Sequence, residues 1–202
     1  MGGTGRLVVA MTGASGAIYA VRFLLQAARR YERIYVMASD QALQVACTEL
    51  GRVVNPQALS AESLLGQPVD NIEFLDRKDY FTPPASGSFR HDGMVIVPCS
   101  MGTAGRIANG ISDDLVTRAA DVCLKERRKL ILVVRETPWN LVHLRNMTQL
   151  TEAGATILPA SPGFYHQPKT VEDLADFIVA RIMQQLGIEQ EVLPQWQFAE
   201  TD

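Results

Sequence analysis

The chain has 202 residues, 47% of them hydrophobic and 20% charged, the proportions of one ordinary globular domain large enough to build its own core. That composition excludes a disordered chain, a collagen and a disulfide-stapled mini-protein. With 19 Lys+Arg against 22 Asp+Glu the net charge is -3, so no global charge draws the chain to nucleic acid or an anionic membrane.

Strand and helix alternate along the chain. Residues 7–11 (LVVAM) form an unbroken apolar run, as expected of a strand covered on both faces. Gly13-Ala14-Ser15-Gly16 follows, then a helix with Ile18, Val21, Leu24, Leu25 and Ala28 at helical spacing. A second strand at 33–38 ends at Ser39-Asp40, either of which can cap a helix running to Leu50. A short helix is predicted near 61–65 and a short strand at 71–75. Residues 80–92 carry Pro83-Pro84 and Ser86-Gly87-Ser88, the signature of a long loop, mobile when empty and of functional length.

The next strand is predicted at 94–98, followed by Cys99-Ser100-Met101-Gly102-Thr103 and a helix broken near Gly110. Ser112-Asp113-Asp114 starts a helix toward Arg128, and residues 130–134, all Leu, Ile and Val, form a strand. An amphipathic helix at 140–153 stops at Gly154, a last strand lies at 156–158, and the last helix spans 171–186 before Gly187. Residues 1–187 are therefore one domain. The tail, 188–202, has little pattern beyond Trp196 and is expected to pack on a neighbouring subunit.

This alternation predicts an α/β fold: a doubly wound parallel sheet with helices on both faces, a three-layer sandwich. Such sheets bind ligands outside the carboxyl ends of their strands. Polar and glycine residues gather there: 13–16, Ser39, 100–103, Arg135-Glu136-Thr137 and 161–166 all follow strands. The Gly13–Gly16 turn offers backbone N–H groups at a helix N-terminus, where an anion is favoured. It lacks the middle glycine of the dinucleotide fingerprint, so it suits one phosphate better than a pyrophosphate. Residues 100–103 offer the same physics, and two such turns suggest a mononucleotide across the sheet edge.

Arg135-Glu136 is either a structural ion pair or a cation holding an anion beside a carboxylate that moves a proton. Arg181 falls inside the apolar arc of Leu174, Phe177, Ile178 and Ile182. It either snorkels to water or reaches a bound phosphate or carboxylate, with Tyr165 as a neutral donor to the same anion. Arg118 and Lys125 share one helix flank, each four residues after an aspartate (Asp114, Asp121), the spacing of a surface ion-pair ladder. His91, His143 and His166 show no metal spacing and are expected in loops or at the surface. Cys47, Cys99 and Cys123 lie far apart with no CxxC pair, which fits free thiols in a reducing cytoplasm, Cys99 acting as a small apolar residue. No apolar run nears the ~20 residues of a membrane helix, and residues 7–11 are too short for a signal peptide's apolar segment.

Taken together and in order, Met11-Thr12-Gly13-Ala14-Ser15-Gly16-Ala17, Ala85-Ser86-Gly87-Ser88, Pro98-Cys99-Ser100, Arg118-Ala119-Ala120-Asp121-Val122, Leu124-Lys125-Glu126-Arg127-Arg128, Arg135-Glu136-Thr137-Pro138 and Gly163-Phe164-Tyr165-His166-Gln167-Pro168 make the chain resemble the flavin prenyltransferases, the UbiX-like family. The matching segments span about residues 7–187. Gln195 stands where members often carry Arg before the tryptophan.

The resemblance implies a flavodoxin-like, Rossmann-like fold and a homo-dodecamer. It implies transfer of a dimethylallyl group from dimethylallyl monophosphate to N5 and C6 of reduced FMN. The product, prenylated FMN, would serve a partner decarboxylase of the UbiD type. It implies no metal, and the chain has no DDxxD motif, since Asp113-Asp114 is followed by Leu115-Val116-Thr117. Carried over by position, Gly13, Ala14, Ser15, Ser39, Ser100, Met101, Gly102, Thr103 and Arg135 would bind FMN. Tyr165, Arg181, Arg118 and Lys125 would bind the allylic phosphate, the last two leaving their ion-pair ladder unless the partner helix belongs to a neighbouring subunit. Ser15, Glu49 and Glu136 would handle protons. Rival readings are a flavin-dependent cysteine decarboxylase of the same fold group, which Pro138-Trp139-Asn140-Leu141 fails to match in its P-x-M-N-type motif, and a non-catalytic FMN carrier. A nicotinamide reductase, suggested by Asp40 alone, ranks last.

Overall fold

The structure, a computed structural model, describes residues 5–193. Six strands form one parallel sheet: β1 (Arg6–Met11), β2 (Arg33–Ala38), β3 (Ile72–Phe74), β4 (Met94–Cys99), β5 (Leu130–Val134) and β6 (Thr156–Pro159). Their spatial order is β3-β2-β1-β4-β5-β6. Without the short β3 at the edge, the remaining strands follow the flavodoxin order. The order reverses between β1 and β4, so the crevice of the fold opens where those two strands end.

Seven helices cover the sheet: α1 (Ala17–Ala27), α2 (Asp40–Leu50), α3 (Ala61–Leu65), α4 (Met101–Ala108), α5 (Leu115–Lys125), α6 (Leu141–Glu152) and α7 (Val171–Leu186). Alternate residues of each strand face opposite ways. Leu7, Val9 and Met11 therefore join a core with α1, α2, α3 and α7. Val8 and Ala10 join a second core with α4, α5 and α6. This is the doubly wound sandwich that the alternation predicts. Strands buried on both faces need apolar residues throughout, which is why β5 reads LILVV and is buried along its whole length. Each fully buried side chain such as Phe23 or Leu24 contributes about 1.5–3 kcal/mol of transfer free energy.

Helix starts follow local capping chemistry. Ser39, rather than Asp40, caps α2 by accepting from the Ala42 N–H at 3.1 Å. Asp114, Asn140 and Thr170 cap α5, α6 and α7 in reciprocal boxes with the residues three further on. Asp114 is thus committed to its helix end and to Arg106 at 3.5 Å, not to Arg118. The predicted ladder is corrected: Arg118 pairs with Asp121 at 2.9 Å, one turn onward, and Lys125 pairs with Glu126.

His91 lies in the loop before β4, as expected, but is buried there, 7% exposed, with Nδ1 3.0 Å from the Gly93 carbonyl and its ring stacked on Phe89. Its aromatic neighbour lies two residues away, while its Nε2 meets Cys123 Sγ on α5 at 3.9 Å. Residues 80–92 form the expected long loop, with one short turn at Pro83–Ala85, and hydrogen bonds join it to α5 and the turn after it. The Arg118 Nε donates to the Ala85 carbonyl at 3.1 Å, and Arg128 donates to the carbonyls of Phe89 (2.6 Å) and Gly87. Finally, Arg181 lies exposed on α7 and donates to Gln184 Oε1 at 2.8 Å. Its neighbours on the wheel, Leu174 and Phe177, are only half-buried, so the buried arc is narrower than the apolar pattern.

The start of the tail lies on its own domain. Ile188 packs against the first core, Gln190 is buried, and Glu191 meets Arg30 at 3.3 Å. Trp196 and the rest of the tail fall outside the described residues. Among the described residues, no helix is long and apolar enough to cross a membrane.

Candidate functional site

Two turns frame the crevice. The β1–α1 turn runs Thr12 to Gly16. Gly13 is there because its neighbour is close: a Cβ would lie 2.6 Å from Gln41 Cβ on α2. Gly16 precedes α1 in a left-handed conformation, φ 111°, with no side-chain cap. The open N–H groups are instead met by a carboxylate from α2. Glu49 Oε2 accepts from Gly16 N at 2.9 Å and Ala17 N at 2.8 Å, and Oε1 accepts from Gly16 N at 3.1 Å. The helix end binds an anion, as its dipole favours, and at Gly16 and Ala17 that anion is the carboxylate of Glu49 from the same chain. Ser15 remains exposed beside it, and Ala14 is buried.

The β4–α4 turn is built differently. Ser100 caps α4, accepting from the Thr103 N–H at 3.3 Å. The side chains of Met101 and Thr103 turn inward, 5% and 2% exposed, so neither offers a side chain to a ligand. Among the described residues, the Met101 and Gly102 N–H groups meet no acceptor, and Gly102 is exposed. This helix end is open. Buried Thr12 stitches the two turns together: its hydroxyl donates to the Pro98 carbonyl at 2.9 Å and accepts from Ser100 N at 2.8 Å.

Neighbouring strand ends complete the rim. Ser39 N donates to the Met11 carbonyl at 3.0 Å, which puts the end of β2 beside the first turn. Arg135 N donates to the Cys99 carbonyl at 3.2 Å, which puts the end of β5 beside the second. Glu136 is half-buried and accepts from the Thr137 N–H at 3.1 Å. Among the described residues no salt bridge joins Arg135 to Glu136, so the structural ion pair is not formed. Arg135 Nε is buried and meets no hydrogen-bond partner among them. A buried guanidinium donor left unpaired is costly, which marks a place for an acceptor from outside the chain.

A cleft of about 740 Å³ opens on the α1 side of this rim, lined by Ser15, Tyr19, Glu49 and Arg135 together with Arg22 and Arg52; no residue of the β4–α4 turn is among its lining. Tyr19 was not singled out from the sequence. Burial pushes its phenol up, Glu49 adds to that shift and Arg135 opposes it, so Tyr19 feels both charges. A hydroxyl-bearing ring in the first turn after a Gly-x-x-Gly loop is the signal that was available. Burial pushes the Cys99 thiol up to about 12, which fits its reading as a small apolar residue.

The four residues expected at the allylic phosphate are not brought together within one chain. Arg118 and Lys125 lie on α5, over the second core, while Arg181 lies on α7, over the first. Tyr165 precedes α7, exposed, its ring 5.8 Å from Phe177. His166, expected in a loop or at the surface, is half-buried there. It stacks on Phe177, and both ring nitrogens are covered and unpartnered among the described residues.

Comparison with known proteins follows the same outline. The Flavoprotein family model matches residues 2–183. The flavin prenyltransferase UbiX of Pseudomonas aeruginosa is 47% identical over 97% of this chain and 96% of its own. The structure of AnUbiX (PadA1) in complex with FMN and dimethylallyl pyrophosphate superposes with a TM-score of 0.85 at 40% identity, covering 96% of this chain and 98% of that one. A dodecameric FMN-dependent UbiX-like decarboxylase from Escherichia coli O157:H7 gives 0.84 at 38% identity, covering 96% and 100%. The cysteine decarboxylase TvaF, at 17% identity and a TM-score of 0.60 over 90% and 98%, shares the fold alone. This chain belongs to the flavin prenyltransferase UbiX family of flavoproteins.

Proposed function

We propose that the chain joins the dimethylallyl group of dimethylallyl monophosphate to N5 and C6 of reduced FMN. The product, prenylated FMN, would be handed to a decarboxylase of the UbiD type. The observation that carries the FMN half of this reading is the buried, unpartnered Nε of Arg135, a residue that lines the cleft with Ser15 and Glu49, together with the open N–H groups at the start of α4 on the neighbouring strand end. Those donors suit a nucleotide's oxygens. Gly13, Ala14, Ser15 and Ser39 would hold one side of the flavin nucleotide. The open N–H groups of Met101 and Gly102 would hold the other, with Ser100 and Thr103 shaping the turn through their mutual cap, and Arg135 would close the rim. Reduced FMN, when bound, supplies the two nucleophilic ring positions.

The chain's own residues do the rest. Breaking an allylic C–O bond leaves a delocalised cation and a phosphate anion. Fixed cations that meet the phosphate only as charge develops lower that barrier. Arg181 and Tyr165 would take the phosphate, with Arg118 and Lys125 assisting. Since these pairs sit over opposite faces of one sheet, the ester subsite would be assembled from more than one copy, which agrees with a dodecamer. Glu136 and Ser15 would move protons at the rim. Glu49 would share that work through lone pairs that its three backbone bonds leave free.

One assay tests the reading. Reduced FMN and dimethylallyl monophosphate are mixed anaerobically with the protein and the flavin is weighed by mass spectrometry. A gain of one five-carbon unit is expected, with the pyrophosphate ester run in parallel to rank the two donors. A flavin that binds and gains nothing from either ester identifies a carrier instead.

A further inference from the structure

The strap of residues 83–89 runs along α5 in the same direction as the helix. Ala85 meets Arg118, Gly87 meets the Lys125–Glu126 pair, and Phe89 meets Arg128. Gly87 lies close against that pair: a Cβ there would lie 2.8 Å from Lys125 Nζ and closer still to Glu126 Oε1, so those side-chain ends would have to move aside. Ser86 and Ser88 flank it with their hydroxyls 2.8 Å apart. Arg128 grips the strap from beneath, giving one N–H to the Phe89 carbonyl at 2.6 Å and another to the Gly87 carbonyl.

The backbone aims this guanidinium. Helix α5 ends with Arg128 N donating to the Cys123 carbonyl at 2.8 Å and Arg127 N to the Leu124 carbonyl at 3.2 Å. The turn places Arg127 in the left-handed region, φ 54°, where glycine is the usual residue. A strained backbone persists where its surroundings fix it, and such positions gather near functional sites. The far end of the strap is fixed too, since Phe89 packs edge-on to Tyr35 and stacks on buried His91.

We propose that Arg128 is a positioning residue for the ester subsite: it fixes residues 86–88 beside Lys125 and so sets how tightly a phosphate ester is held. Arg128 itself points at backbone carbonyls. The inference rests on the assignment of Lys125 to the allylic phosphate.

The test uses the full chain loaded with FMN, titrated calorimetrically with dimethylallyl monophosphate, with amide hydrogen exchange read over 85–89. Arg128→Met is expected to speed exchange in the strap and weaken ester binding about tenfold, the scale of losing charge-assisted bonds that order a loop. Its FMN affinity should stay unchanged. Arg128→Lys should recover part of the loss, because one ammonium replaces one of two forked contacts. Gly87→Ala, which displaces the Lys125 and Glu126 side-chain ends from the strap with Arg128 intact, should give the same ester defect and keeps the test open if Arg128→Met does not fold. Faster exchange with unchanged ester affinity in these variants overturns the inference, as does a parallel loss of FMN affinity. A wild-type chain that binds the ester yet transfers no prenyl group sinks the proposed reaction and leaves this inference standing on the binding data.

Discussion

The two turns at the crevice look alike in sequence and are used in opposite ways. Gly13-Ala14-Ser15-Gly16 and Ser100-Met101-Gly102-Thr103 are both small, polar and followed by a helix. The first is closed by Glu49, whose carboxylate meets the start of α1. The second is capped by its own serine and leaves two N–H groups open. A helix N-terminus therefore signals an anion, but sequence alone does not say whether that anion is resident or visiting.

The sharpest test at this rim is Arg135→Ala, which removes the positive charge that lines the cleft beside Glu49. FMN affinity should fall at least about tenfold, matching the ~1.5–3 kcal/mol of a hydrogen bond to a charged group, while the thermal midpoint hardly moves. Flavin fluorescence titration checks it, and an unchanged affinity would place the flavin elsewhere. Next comes Glu49→Ala on the closed side. It should destabilise the fold by about 1–3 kcal/mol, since two backbone donors lose their acceptor. Added inorganic phosphate should raise the melting temperature of the variant more than that of the wild type; an equal rise would mean the vacated turn attracts nothing.

A smaller effect is expected from Gly102→Pro. Proline is tolerated in a first helical turn, so the change removes one open N–H with little strain. FMN affinity should drop about fivefold, on the order of 1 kcal/mol for one hydrogen bond, and equilibrium dialysis would reveal its absence. The smallest effect is Gly102→Ala. A Cβ there meets nothing within 4 Å, so the variant should gain up to ~1 kcal/mol from helix propensity, read as a higher urea midpoint. A lower midpoint would show that the glycine is there for the backbone rather than for the ligand.

The elements were largely legible because their signals are local. The unbroken LILVV of β5, the apolar spacing of α1 and the stop at Gly187 all sit within a few residues of what they determine. So did the gathering of Ser39, Ser100 and Arg135 at one rim, which follows from parallel strands. The features that escaped depend on distant partners. Glu49 reaches a turn 33 residues back, and His91 meets Cys123, 32 residues on. Arg181 escaped for another reason: apolar residues at the flank of a helix wheel need not be buried by the same chain. The split of Arg118 and Lys125 from Tyr165 and Arg181 lies beyond any one-chain pattern, because helical periodicity does not say which face of the sheet a helix covers.

The buried hydroxyl of Thr12 has a consequence for how the crevice meets a ligand. By bonding to both Pro98 and Ser100, it welds the ends of β1 and β4 into one rigid corner. The gap between them is set before anything arrives, so little conformational freedom remains to be lost on association. Discrimination at this rim then comes from a fixed template, and Thr12→Val would loosen the template while leaving every ligand-facing group in place.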